Sequence, residues 1–389
     1  MARSPFAFLR GSANVMAHDL AELPTTRLSV QLCGDAHLSN FGLFASPERH
    51  LVFDVNDFDE TLRGPWEWDV KRLATSLIVA GRANGFSRDL SRKVARLALR
   101  SYRERLSEFA SMRYLDIWYS HIDPEGGGMP ISREGERLID RSVAKAHRRT
   151  DLHAFPKLVK AVRGGYRIRD IPPLIVHYKN PERNAESRFF YERYLASLPD
   201  ERRTLLDRYR VVDVAQKVVG VGSVGTACSV LLLMADDGLK DPLFLQLKQA
   251  SFSVLEPYLG ASPYPNHAHR VVVGQHLIQE ASDIFLGWSR LRSQDFYIRQ
   301  LRDMKFSYDV ALMGPKAFLA LAGLCGTTLA RAHARTGDPA QIAGYLGDRP
   351  VFDEAVTRFA EAYADQTAVD HQALLAAIRS GRVPAESGF

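Results

Sequence analysis

The sequence predicts an α+β fold, with a β-rich section set between two mainly helical ones and a short acidic β segment near the start. Three observations carry this reading. Residues 209–250, YRVVDVAQKVVGVGSVGTACSVLLLMADDGLKDPLFLQLKQA, hold three apolar, β-branched runs separated by Gly- and Asp-rich turns. Segments 66–109 and 317–379 repeat apolar residues at helical spacing. Two acid-bearing stretches, CGDAHLSN (33–40) and VFDVNDFDET (52–61), each follow a short apolar run.

The elements follow in order. ANVMAHDLAE (13–22) reads as a helix that Pro24 ends. LSVQLCG (28–34) and HLVFDVND (50–57) read as strands, with ASPER (45–49) as turn residues between them. Pairing of these two strands as a hairpin is the expected way to bring both acidic groups to one spot. WDVKRLATSLIVAGRA and DLSRKVARLALRSYRERLSEFA then read as helices, and 111–205 as basic helices with loops. After the three β-rich runs, 266–283 is helical, and IFLGWSRL with DFYIRQL forms a second hairpin. No fixed-period repeat or low-complexity tract interrupts the chain.

Composition bounds the function. At 389 residues with 46% hydrophobic and 25% charged, the chain reads as an ordinary globular protein. No apolar run approaches the roughly 18 residues that cross a bilayer, and MARSPFAFLRG has no long apolar core of a secretory signal. Three scattered cysteines (Cys33, Cys228, Cys325) suit a reducing cytoplasm. The net charge of +6 favours anionic partners such as nucleotides, although solubility alone accounts for it. Without an RNP, zinc-finger or helix-turn-helix signature, nucleic acid is not the expected partner. Neither is a membrane.

Asp35, Asn40, Asp57 and Asp59 carry the most information. Turn-capping explains one such cluster. Two clusters at strand ends imply a shared cation or a carboxyl that stays protonated, and hard oxygen donors with an asparagine suit Mg²⁺, which takes one or two carboxylates plus substrate phosphates. Gly220-Val-Gly222-Ser223-Val-Gly225 fits G-x-G-x-x-G, but a β-rich run rather than a helix follows, which disfavours a dinucleotide fold. A glycine turn between strands fits a flap whose N–H groups cover phosphates, or an ordinary hairpin. In LFLQLKQA, Lys248 shares a strand face with Phe244 and Gln246, so it reads either as an edge lysine or as a phosphate anchor under that flap.

These residues resemble the protein-kinase-like superfamily, above all its aminoglycoside and choline phosphotransferase branch, with its H-G-D-x-H-x-x-N loop and I-D-F-D/E strand end. Here the motifs stand as Cys33-Gly34-Asp35-Ala36-His37-Leu38-Ser39-Asn40 and Val55-Asn56-Asp57-Phe58-Asp59. That branch also places an aspartate ahead of an apolar helix, and GPWEWDVKRLA with Asp69 looks like it. More closely, SPFAFLRG, CGDAHLSNFG, NDFDET, GPWEWDVKRLATS, VGVGSVGT and FYIRQLRDMK resemble the bacterial family DUF2252 over nearly the whole chain.

The resemblance implies a kinase-like two-lobe fold in circularly permuted order, because the glycine turn and lysine follow the catalytic loop instead of preceding it. Residues 1–205 would form a helical part with the catalytic and metal loops. Residues 206–305 would form the small β-rich nucleotide lobe, and 306–389 the rest of the large lobe. By motif, Asp35 would accept the acceptor hydroxyl's proton and Asn40 and Asp57 would hold Mg²⁺. Gly220, Gly222, Ser223 and Gly225 would cover the phosphates of ATP, and Lys248 would pair with them. Glu280, Glu256 and Gln275 are the candidate partners of Lys248.

The implied function is an ATP- and Mg²⁺-dependent phosphotransferase on an acceptor, small molecule or protein, that the sequence does not name. Residues 110–205 are expected to shape its pocket. The alternatives are a metal-dependent phosphohydrolase, for which Asp35-x-His37 and His267-x-His269 imitate dinuclear spacings, and a non-catalytic nucleotide-binding pseudokinase. AMP transfer from the same residues is a further option. His333 reads as a core histidine, Trp66 and Trp68 as packing at a helix start, and Arg299, Asp303 and Lys305 as an ion network between lobes.

Overall fold

The computed structural model describes residues 1–122, 142–163, 165–177, 183–217, 227–235, 241–301 and 304–384. It is mixed α/β, 51% helical and 21% strand, with the strands divided among several sheets.

Two short helices, Pro5–Gly11 and Ala13–Ala21, open the chain. The first starts because the Ser4 hydroxyl accepts the Ala7 N–H and Pro5 needs no such partner. The acidic region then folds differently from the expected hairpin. Strand β1 (Ser29–Leu32) leads into the first acidic loop, a 3₁₀ turn (Leu38–Asn40) reverses it, and β2 (Phe41–Ala45) follows. Strand β3 (Leu51–Val55) pairs antiparallel with β2, in register Phe41↔Val55, whereas β1 pairs with β4 (Leu62–Pro65), in register Leu32↔Leu62. The expected partnership of β1 with β3 is therefore wrong. FGLFA, buried at all five positions, has no alternation to mark it as a strand, and it takes the place beside β3. The acidic loops still meet, because β1, which leads into the first loop, pairs with β4, which leads out of the second.

The large helices are Glu67–Ala83, Arg88–Ala110, Pro315–Thr336 and Val351–Arg379. They pack with β1–β4 around one extensive core that includes Trp66, Leu77, Tyr102, Phe109, Phe318 and Leu329. Trp66, fully buried, stacks on Tyr102 at 5.8 Å, which seats the start of its helix as expected. Helices Arg88–Ala110 and Pro315–Thr336 approach so closely that a Cβ on Gly326 would lie 2.1 Å from the Ala98 carbonyl oxygen, so only glycine fits there.

The section read as helices and loops also carries strand. A ribbon of β5 (Val159–Val162) and β6 (Gly165–Ile168) precedes β7 (Ile175–Val176), which joins the edge of the main sheet. That six-stranded antiparallel sheet runs β11-β12-β10-β9-β8-β7, where β8 is Tyr209–Lys217, β9 Cys228–Ala235, β10 Pro242–Ala250, β11 Gly287–Leu291 and β12 Gln294–Gln300. The expected β11–β12 hairpin is present. One face packs Leu231, Leu245, Leu247 and Ile298 against Phe190, Tyr194 and Leu198. The other packs Val230, Leu232 and Phe244 under Ile168. Strand β13 (Phe306–Ser307) then adds to the free edge of β2 and returns the chain to the helical core. Among the described residues no helix is long and apolar enough to cross a membrane.

Candidate active site

The first acidic loop is held from below. Asp69, buried in the first turn of helix Glu67–Ala83, accepts the Cys33 N–H at 2.8 Å and the Gly34 N–H at 3.1 Å. His333 bridges Asp69 to the Tyr102 hydroxyl, with 2.8 Å between Nδ1 and that oxygen. It is fully buried and acts as a core histidine, as read. Gly34 has φ +84°, and a Cβ there would sit 2.2 Å from the Glu60 carbonyl oxygen. Both the left-handed backbone and the close approach to the second loop require glycine. Burial, then the Asp69 charge, pushes the Cys33 thiol well above its ordinary value, so it is an inert packing group.

Asp35 follows directly. Arg72, itself buried, donates Nε to Asp35 Oδ1 at 2.8 Å, while its other nitrogens reach the Leu9 carbonyl and the Met16 sulfur. One carboxylate oxygen is thus pinned, and His37 Nε2 lies 3.6 Å from the other. Burial lowers His37 to about 4, so the ring is neutral at pH 7. Asn40 donates its amide to the Asp35 carbonyl at 2.7 Å, and its own carbonyl accepts the Asn56 N–H at 2.8 Å. Those two bonds tie the first loop to the second.

The second loop meets the sheet. Lys248, on β10 and only 4% exposed, places Nζ 3.5 Å from Asp57 Oδ2 and in closer contact with Asp59. The Tyr297 hydroxyl, from β12, donates to Asp59 Oδ1 at 2.8 Å. Arg299 donates to the Asn56 carbonyl at 3.1 Å and lies over the Tyr297 ring. Arg270 clamps the loop by donating to the carbonyls of Asp59, Thr61 and Ser251. Burial alone would raise Asp57, but the Lys248 and Arg299 charges outweigh it and hold the carboxyl below its ordinary value. Burial and the Asp57 charge raise Asp59. Burial opposes the Lys248 charge, yet Asp57, Tyr297 and Asp59 prevail and its ammonium titrates well above the usual lysine range. The two carboxyls are thus pushed apart, with Asp57 the firmly ionised member.

None of the three expected partners holds Lys248. Glu280 accepts the Ile122 N–H and sits near Arg331, Glu256 accepts the Ser253 N–H, and Gln275 donates to Gln279. Asp59 and Asp57 hold it instead. Those aspartates come from a loop far back in the chain, which the sequence around Lys248 does not signal. Arg72, Tyr297 and Arg270 were likewise not singled out by the sequence. Lone basic and aromatic residues in apolar surroundings carry no local signal. The glycine turn Gly220, Gly222, Ser223 and Gly225 and the acid Asp303 lie outside the described residues. Arg299 does link the sheet to the acidic loops, while the Lys305 carbonyl accepts from Arg149.

Strand β3 is anchored by a buried ion pair. Asp54, fully buried, contacts Arg331 and accepts the Glu280 N–H at 2.9 Å. Burial, then the Asp54 charge, raises Glu280 to about 8, and burial raises Glu60 to about 7. A carboxyl raised on folding contributes stability at low pH that is lost as pH climbs through its folded value. His37, lowered to about 4, and His269 and His276, also lowered by burial, act oppositely, chiefly below their unfolded value of 6.5. The carboxyls therefore dominate the window from pH 6.5 to about 8.5, and Glu280 contributes a loss of about 2 kcal/mol across it. Denaturant titrations at the two pH values are expected to show that fall, and Glu280→Gln to remove most of it. A stability that is flat across the window overturns the assignment.

Among the described residues no group of three or more His, Cys, Asp or Glu is disposed to hold a metal by itself. His267 packs on Phe252 and His269 on Trp288, and among the described residues neither belongs to such a group. The donors that remain are hard oxygens, and Asp57 Oδ1 is buried without a hydrogen-bond partner. That set fits a Mg²⁺ ion completed by substrate phosphates and not a closed protein cage. Beneath Asp35 a void of about 10 Å³ is lined by Met16, Gly34, Asp69 and Arg72, room for one water at most. A cavity of about 460 Å³ lies elsewhere, between Arg193, Pro265, Trp288 and Arg290, and includes none of the acidic residues.

The family model for an uncharacterized protein conserved in bacteria (DUF2252) matches residues 1–377, and the chain belongs to that family. No curated protein and no solved structure matches it.

Proposed function

For this member of the DUF2252 family we propose an ATP- and Mg²⁺-dependent phosphotransferase whose kinase-like parts occur in circularly permuted order. The observation that carries it is Lys248 on the sheet standing 3.5 Å from Asp57 in the second acidic loop. Phosphoryl transfer needs such a juxtaposition, since its catalysis is positioning and charge neutralisation around a triphosphate. Asp35 is the base toward the acceptor hydroxyl, with Arg72 fixing one oxygen so that the other is presented. Asn40 and Asp57 would hold the metal. With the Asn40 nitrogen engaged by the Asp35 carbonyl, its amide oxygen is the donor left for a cation. When bound, Mg²⁺ neutralises phosphate charge. Lys248 and the turn at Gly220, Gly222, Ser223 and Gly225 take the remaining phosphate oxygens, and Arg299 adds positive charge nearby.

Asp57→Ala is expected to abolish Mg²⁺-dependent nucleotide binding, measured by calorimetry with a non-hydrolysable ATP analogue at fixed Mg²⁺. An unchanged Kd sinks the metal assignment. A second reading, a nucleotide-binding module without turnover, is favoured by Lys248 being held by aspartates in place of a glutamate. Binding of MgATP with no label passing from γ-labelled ATP to any component of a cell extract selects it.

A further inference from the structure

Lys248 is the centre of a closed ion cluster. It is 4% exposed, in contact with Asp59 and 3.5 Å from Asp57, and it lies over the Tyr297 ring at 5.9 Å. Tyr297 holds Asp59 from the other side at 2.8 Å. An ammonium in this position does for two neighbouring carboxylates what a divalent cation would do. It offsets their repulsion, and it leaves one buried Asp57 oxygen without a partner. A divalent cation seated on the same aspartates would meet this ammonium at close range, where like charges repel.

We infer that Lys248 is an exchangeable counter-ion, occupying the aspartate pair in the nucleotide-free protein and surrendering it when a divalent cation binds there. The inference rests on the reading of Asp57 as a metal-holding residue, and it names how that site is regulated. Metal entry frees the lysine for an anionic phosphate, and the freed lysine no longer opposes the metal. Metal and nucleotide therefore bind with positive coupling, because each removes the charge conflict that the other meets. In the absence of nucleotide, Lys248 keeps metal affinity low.

Mn²⁺ serves as the probe, with free ion counted by electron paramagnetic resonance in the absence of nucleotide. Lys248→Met is expected to bind Mn²⁺ at least about tenfold more tightly than the wild type, and Lys248→Arg no more tightly than the wild type. Equal affinities of Lys248→Met and wild type overturn the exchange. Should Lys248→Met fail to fold by circular dichroism, the wild type carries the test. Mn²⁺ alone is expected to raise reductive methylation of Lys248, read by peptide mass spectrometry, and an unchanged yield overturns the inference. Failure of the nucleotide-site reading is seen separately, as a wild-type protein that binds no MgATP analogue at any Mg²⁺ concentration, and failure of the transfer alone as binding without label transfer.

Discussion

Asp35→Asn is expected to lower γ-phosphate turnover by about 10²–10⁴-fold, roughly 3–5 kcal/mol of barrier, while MgATP affinity holds. The amide keeps the shape of the carboxyl and one acceptor toward Arg72, but it cannot take a proton. Alanine is the poorer choice. It would leave the Arg72 guanidinium, 3% exposed and paired with Asp35, without its counter-charge, and a loss of folding would then be mistaken for a loss of chemistry. The measurement is label transfer from γ-labelled ATP into a cell extract, together with intrinsic hydrolysis, against wild type at matched Tm. Turnover of the asparagine variant within about threefold of wild type removes Asp35 from the role of base.

The second large effect is on stability. Arg331→Met is expected to cost about 3–5 kcal/mol, because it strips the counter-charge from Asp54, which has no exposed surface. Asp54 begins the three-residue approach to Asp57, and it also accepts the Glu280 N–H. The damage is therefore expected to reach the second acidic loop, lowering nucleotide affinity along with the denaturation midpoint. The double variant Asp54→Asn/Arg331→Met removes both charges and keeps an acceptor for that N–H, so it should regain most of the loss. A double variant no more stable than the single one shows that packing around Arg331, and not its charge, matters.

The two predictions separate the roles of the acids near the start of the chain. Asp35, Asp57 and Asp59 are partly accessible to solvent and face Lys248 or Arg72. Asp54 and Asp69 are sealed beneath them and hold backbone groups in place. A sequence reading sees five similar residues. Burial distinguishes the accessible acids from the supporting ones.

Local chemistry was legible in the amino-acid order alone. Apolar, β-branched runs marked β8–β10, a period of 3.6 marked the long helices, and CGDAHLSN with NDFDET marked the acidic loops, because such signals arise between near neighbours in the chain. Tertiary contacts decided the rest. FGLFA displaced β1 as the partner of β3, Asp59 took Lys248 from the glutamates, and Arg72 reached Asp35 from a different element. Strand pairing and ion pairing join residues far apart in sequence, and their energy depends on which groups lose water together. No local pattern encodes that.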